Sequence, residues 1–352
     1  MIDLRSDTVT MPTGEMLEAI TNAKLGDDVF QEDPTVNKLE EQSANMLGKE
    51  AGLLVPSGTM GNLVSILTHC QRGTEILLGD KSHTFYYEAG GISSFGGIHS
   101  HQLKNQPDGT IDIDDIKSAI RVDNVHFPKT SAITLENTHN LCNGSPILPE
   151  YVRDVSNITR NNDMQLHIDG ARIFNAAVSL DIDVKDLVKD ANSITFCLSK
   201  GLSAPIGSVI CGSEKFIYYA RRNRKALGGG MRQAGIIASA GIVSLDTMID
   251  QIRKDHTNTQ RLVEGISRIE GLSIDRENIK SNILYFDIEE GKKRCDELAK
   301  QTANKNVYPV DIILDNIYFF ETSPSRFRLV THHGITSDDI EKTIIELKDM
   351  VK

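Results

Sequence analysis

The sequence is short of the features that mark several large classes of protein. Its five cysteines (Cys70, Cys142, Cys197, Cys211 and Cys295) are odd in number, widely spaced and include no C-x-x-C pair. That argues against both a disulfide framework and a zinc site, so no metal is expected and a reduced, cytoplasmic setting is. No run of 18 apolar residues occurs, and the opening MIDLRSDTVT carries acids and hydroxyls where a signal peptide needs basic residues and then an apolar stretch. Membrane insertion and secretion are therefore not expected. Positive charge is also short. With 38 Lys and Arg against 49 Asp and Glu, the net charge of −11 repels a phosphate backbone and disfavours nucleic acid as a partner. Low-complexity tracts and internal repeats are missing too.

What is present is an ordinary globular composition, 39% hydrophobic over 352 residues, enough for one large domain and one small. From about residue 35 to 245, β-rich runs at 52–55, 75–78, 132–136, 165–168, 193–198 and 208–211 alternate with helical spacing, as at 62–70 and 149–161. Such alternation predicts an α/β domain with a mostly parallel sheet wrapped by helices. Beyond 245 the pattern changes. Helical candidates at 246–269 and 337–351 bracket strand candidates at 281–287, 317–321 and 327–330, which predicts a small C-terminal α+β domain over 246–352. Ser337 reads as the N-cap of the last helix, ahead of Asp338 and Asp339. Residues 1–14 have no period and read as an arm lying across something else, ahead of a large domain at 15–245.

Three stretches carry chemistry, and each lies where a strand candidate ends. In LLVPSGTMGN a strand runs into Ser57, Gly58 and Thr59 at a helix start, where backbone N–H groups and hydroxyls favour an anion; a plain N-cap without ligand explains it equally well. In HIDGAR a strand delivers Asp169; a local pair with Arg172 or a helix cap is the plain alternative to a cationic ligand group. In SITFCLSKGLSAP an apolar strand ends at Lys200 among residues too small to cover it. Most such lysines are simply solvated in a turn; the alternative is an amine kept reactive. An anion cradle, an acid and a lysine are together the set that pyridoxal 5'-phosphate needs for its phosphate, its ring nitrogen and its aldehyde.

Nine segments in one order then carry a resemblance: DLRSDTVTMPT (3–13), GDDVFQEDPTVNKLE (26–40), PSGTMGN (56–62), SHTFYYEAGG (82–91), LENTHN (135–140), HIDGAR (167–172), SKGLSAPIGS (199–208), LGGGMRQAG (227–235) and RLVTH (328–332). The chain resembles the threonine aldolases of low-specificity or L-allo type, pyridoxal-phosphate enzymes of fold type I. The resemblance implies a seven-stranded sheet in the large domain and cleavage of threonine or allo-threonine to glycine and acetaldehyde. It implies that Lys200 forms the Schiff base with the coenzyme, that Asp169 holds the ring nitrogen and that His83 stacks on the ring. Gly58 and Thr59, with the neighbouring Ser57, would bind the phosphate. Arg172 and Arg328, with Ser6 from the arm, would clamp the substrate carboxylate, and planar guanidinium forks suit that task. Arg232 and Lys225 would approach a phosphate across a subunit boundary, implying a homodimer at least and a tetramer of two dimers. Tyr87 belongs to the substrate side. His83, His126 and an ordered water are the candidates for the base that takes the β-hydroxyl proton.

Plain readings stand beside these roles. His83 amid Phe85, Tyr86 and Tyr87, or His126 in NVHFPK, would by itself be core or surface, and the basic run at 220–225 a solvated helix face. His332 and His333 are adjacent on a strand and point oppositely, so joint metal ligation is not expected. Phe30, Asn143 and the pair His333 and Gly334 depart from the family's usual residues and leave threo or allo preference open. Two other functions compete: another lyase of the same cofactor class, β-eliminating or serine hydroxymethyltransferase-like, and a catalytically inactive binding protein of this fold.

Overall fold

The computed structural model describes residues 1–289, 298, 300, 301 and 308–351; Cys295 lies outside them. In chain order the strands are β1 (Ile2–Asp3), β2 (Ala51–Val55), β3 (Glu75–Gly79), β4 (His99–Leu103), β5 (Thr130–Glu136), β6 (Gln165–Asp169), β7 (Ser193–Cys197), β8 (Ser208–Gly212), β9 (Leu272–Ile274), β10 (Ile283–Ile288), β11 (Val310–Leu314), β12 (Ile317–Ser323) and β13 (Arg326–Val330). The large sheet has seven strands in the order β2-β8-β7-β6-β5-β3-β4. All run parallel except β8, which is antiparallel to both its neighbours. Runs such as SITFC and SVICG are buried at every position because helices cover both faces, so they show no apolar-polar alternation. This is the α/β architecture expected of fold type I.

Helices α1 (Gly14–Thr21), α2 (Pro34–Met46) and α3 (Gly58–His69) precede or follow β2, and α4 (Pro149–Asn161) packs on β6. After β8 come α5 (Glu214–Ala226), α6 (Gly235–Thr247) and α7 (Ile249–Ile266). The single helix expected over 246–269 is thus two, broken at Met248. The small sheet runs β1-β12-β13-β10-β9, with β11 on the side of β12. A core of Leu284, Phe286, Phe319, Phe327 and Leu329 joins it to α7 and to the last helix, α8 (Ser337–Met350). Its cap is Thr336 rather than Ser337: the Thr336 hydroxyl accepts from Asp339 N–H while Asp339 returns a bond to Thr336 N–H, a reciprocal pairing that outcompetes a single serine one residue later. The arm is more ordered than its lack of period suggests. Ile2 and Asp3 add a parallel strand to β12, and Asp7–Val9 forms one 3-10 turn against the large domain. Among the described residues no single helix is long and apolar enough to cross a membrane.

Candidate active site

In a parallel sheet the carboxyl ends of the strands lie along one edge, and there ligands bind. That edge gathers Ser57 after β2, His83 after β3, Glu136 closing β5, Asp169 closing β6 and Lys200 after β7. Lys200 stands on a tight return from β7 to β8. Its carbonyl accepts from Ser203 N–H at 2.8 Å and from Thr10 Oγ1 at 3.0 Å, and Ser203 takes a positive φ of 59°. The small residues around it make this turn possible. The backbone is pinned twice, while Nζ makes no hydrogen bond or ion pair among the described residues.

Asp169 is buried. Its Oδ1 accepts from Ala171 N–H at 3.2 Å and its Oδ2 from Asn62 Nδ2 at 2.9 Å, both neutral donors. It pairs with no cation among the described residues, and Arg172 does not serve it. Burial, reinforced by the Glu136 charge, raises its pKa; His83 and Lys200 oppose the rise. His83 Nδ1 donates to Glu88 Oε1 at 2.9 Å, and its main-chain N–H to Glu136 Oε2 at 2.7 Å. Burial works against an imidazolium here, yet the Glu88 bond and the Asp169 charge prevail and raise the His83 pKa. Tyr87 stands with its ring centroid 5.5 Å from that of His83 and is half exposed. Sequence reading missed Glu88, Asn62 and Glu136; all three sit inside the quoted motifs, but only their contacts show that they touch the expected site residues.

Ser57 caps α3 through Met60 N–H, as its plain reading has it. The cap leaves the N–H groups of Gly58 and Thr59 without a protein acceptor among the described residues, so both roles coexist. A side chain at Gly58 would press on the strand below it, since a Cβ there would lie 2.8 Å from Cys197 Sγ on β7.

Arg172, expected in the carboxylate clamp, is engaged with the arm. Its Nε and Nη2 donate to Asp7 Oδ2 and Oδ1, both at 2.7 Å, in a buried pair. The two-toothed face of the guanidinium is spent on the arm, and only Nη1 is left for another acceptor. Asp7 is held well below the usual carboxylate range despite its burial, chiefly by the Arg172 charge. Arg328, on β13, differs. Nη1 meets Asn140 Oδ1 at 3.2 Å, Nη2 meets the Arg5 carbonyl at 2.9 Å, and buried Nε has no partner. It makes no ion pair among the described residues; its charge meets two neutral oxygens and the face of the Phe320 ring, 5.4 Å from the centroid. Ser6 lies between these arginines along the arm, its Oγ accepting from Thr8 N–H at 3.2 Å.

Three expected residues are not brought to this edge. His126 sits in an exposed loop ahead of Thr130, at the amino end of β5, whereas Glu136 marks the catalytic edge, and the strand carries the chain roughly 20 Å from Thr130 to Glu136. Arg232 is exposed and paired with Asp27 at 2.9 Å, and Lys225 is exposed on α5 beside a groove that none of the site residues lines. Within one chain none of the three makes a hydrogen bond or ion pair with Lys200, Asp169 or His83 among the described residues.

The residues fit the coenzyme on three observations: an unpaired lysine, a buried carboxylate without a cation, and open N–H groups at a helix start. The family model described as beta-eliminating lyase matches residues 3–289. The low-specificity L-threonine aldolase 1 of Arabidopsis thaliana is 44% identical over 97% of this chain and 94% of its own length, and the low specificity L-threonine aldolase of Escherichia coli K12 is 39% identical over 97% and 96%. A Leishmania major threonine aldolase structure superposes over all of both chains with a TM-score of 0.81 at 17% identity. With 39–44% identity over nearly its full length to proteins of that name, and with their fold around the lysine and aspartate, this chain belongs to the threonine aldolase family of lyases.

Proposed function

We propose that this protein cleaves L-threonine and L-allo-threonine to glycine and acetaldehyde with pyridoxal 5'-phosphate as coenzyme. One observation carries the reading: unpaired Lys200 and uncompensated Asp169 close neighbouring parallel strands, and Arg328 stands by with no anion. Lys200 would hold the coenzyme covalently, Asp169 its ring nitrogen, His83 one ring face, and Gly58 and Thr59 with Ser57 its phosphate. When bound, that ring supplies a sink for the electron pair left on Cα as the Cα–Cβ bond breaks. The protein's part is orientation. Arg328, helped by Ser6 and the remaining Arg172 nitrogen, grips the substrate carboxylate and so sets which Cα bond stands across the ring. His83 Nε2 makes no hydrogen bond among the described residues, and the Glu88 bond at Nδ1 fixes the ring so that Nε2 can receive a proton. An ordered water is the competing base.

The enzyme acts in this reading as a cytoplasmic homo-oligomer, a dimer or a tetramer of two dimers. The exposed Arg232, Lys225 and His126, none of them bonded to the site residues of their own chain among the described residues, support sites shared between copies. The test offers purified protein, supplied with the coenzyme, L-threonine, L-allo-threonine, serine and β-phenylserine. Acetaldehyde and glycine from the first two, with a visible band near ~420 nm erased by borohydride, is the expected result. Pyruvate from serine without acetaldehyde from threonine would assign β-elimination instead, and a protein taking up no coenzyme would overturn the reading.

A further inference from the structure

Helix α3 does more than open at the phosphate. Its Asn62, one turn beyond Gly58, and its last residue, His69, lie along the side that faces β6 and β7. From them a continuous polar line crosses the buried interior. Asn62 Nδ2 donates to Asp169 Oδ2 at 2.9 Å and to Glu88 Oε1 at 2.8 Å. Asn62 Oδ1 lies 3.3 Å from His167 Nε2, His167 Nδ1 lies 2.8 Å from Ser193 Oγ, and Ser193 Oγ lies 2.6 Å from His69 Nε2. His69 is held in turn by stacking on Phe216, centroids 4.5 Å apart.

One assignment of donors satisfies every link. A carboxamide facing two carboxylates must present its NH2, since turning it over would set Oδ1 against both. Asn62 Oδ1 then needs a donor, which His167 Nε2–H supplies. The fully buried His167 is kept neutral, its pKa pressed down to about 3 by burial, so Nδ1 is an acceptor and takes the Ser193 hydroxyl proton. The Ser193 oxygen takes His69 Nε2–H. Every link points toward Asp169, and an amide in the middle prevents the line from passing a proton onward. Its work is therefore orientation.

We propose that His167 is a positioning residue that locks the amide of Asn62, so that Asn62 holds the Asp169 carboxylate toward the coenzyme nitrogen and ties it to Glu88 and His83. Rotation of that amide would leave Asp169 with one backbone donor and a repelling oxygen. The inference rests on the function proposed above and deepens it: coenzyme affinity and turnover depend on a histidine that touches neither coenzyme nor substrate.

The experiment compares His167→Phe, His167→Gln, Asn62→Leu and Ser193→Ala in the holoenzyme. It reads the Kd for pyridoxal 5'-phosphate from the visible band, kcat and KM for L-threonine, and the melting temperature. Glutamine places an N–H where Nε2–H stands; phenylalanine keeps the volume and removes the donor. His167→Phe and Asn62→Leu are expected to weaken Kd and lower kcat by on the order of tenfold or more, with KM little changed, as losses behind a primary ligand do. His167→Gln restores both, and Ser193→Ala shows a smaller loss in the same direction. Equal losses in His167→Gln and His167→Phe, or wild-type Kd and kcat in His167→Phe, overturn the proposal. Should His167→Phe not fold, Asn62→Leu and Ser193→Ala decide on the same two readings. Wild-type protein that binds no coenzyme overturns the functional reading and this inference together; normal wild-type binding with unaffected variants overturns this inference alone.

Discussion

At the scale of the residue, two arginines from equally persuasive motifs turn out to do different work. Arg172 answers the buried charge of Asp7, while Arg328 has spare charge and a bare Nε. Arg328→Ala should raise KM for threonine by roughly 10- to 100-fold, the worth of one or two charge-assisted hydrogen bonds, with little change in melting temperature. Arg172→Ala should instead cost about 3–5 kcal/mol of stability, because Asp7 is left buried and unpaired. Urea titration beside steady-state kinetics separates the two, and equal stability losses would remove the distinction. Lys200, Asp169 and the start of α3 were legible in sequence because each is announced by where a strand ends. Asp7 and Asn62 were not, since partners 165 and 107 residues away leave no local spacing to read, and Glu88, five residues from His83, fits no strand or helix period that would announce the contact.

At the scale of the element, α3 is aligned by glycines against β7. A Cβ on Gly61 would fall 2.4 Å from Thr195 Cγ2, so even alanine forces the helix and strand apart. Gly61→Ala should cost about 1–3 kcal/mol as an overpacked contact. Because Gly58, Thr59 and Asn62 ride on the same helix, it should weaken coenzyme binding at both the phosphate and the nitrogen end. Wild-type coenzyme affinity in a folded Gly61→Ala protein would show the alignment to be slack. Buried parallel strands were read correctly from apolar runs, with ends shifted by a residue or two. β4 was missed because HSHQL, at the sheet edge, is half solvated and carries no apolar run. β1 was missed because two residues set no period, and their order comes from hydrogen bonds to β12 rather than from their own side chains.

At the scale of the whole molecule, fully buried His167 and half-buried His69 and His256 contribute to the loss of stability in acid. Burial depresses His69 and His256 to about 4 and His167 to about 3, so all three are neutral when folded and take up protons only on unfolding. The stability they add is complete above their ordinary pKa near 6.5 and is lost as pH falls toward 4, by up to roughly 1.4 kcal/mol per pH unit for each. Urea midpoints between pH 7 and 5 should show that slope, and His256→Gln should flatten it by one proton; an unchanged slope would place His256 in water. The assembly has its own test. Among the described residues Arg232 pairs with Asp27, stacks on Phe30 and makes no bond to a residue of the site, so the coenzyme role proposed for it calls for a second copy. Lys200→Ala and Arg232→Ala homomers should each be nearly inactive. If each site takes Lys200 from one chain and Arg232 from the other, a mixed dimer keeps one site with both residues intact. Random exchange makes half the dimers mixed, so a refolded equal mixture should recover roughly a quarter of wild-type activity. No recovery, with exchange verified by tagged subunits, would place each site within a single chain and leave Arg232 to its surface pair.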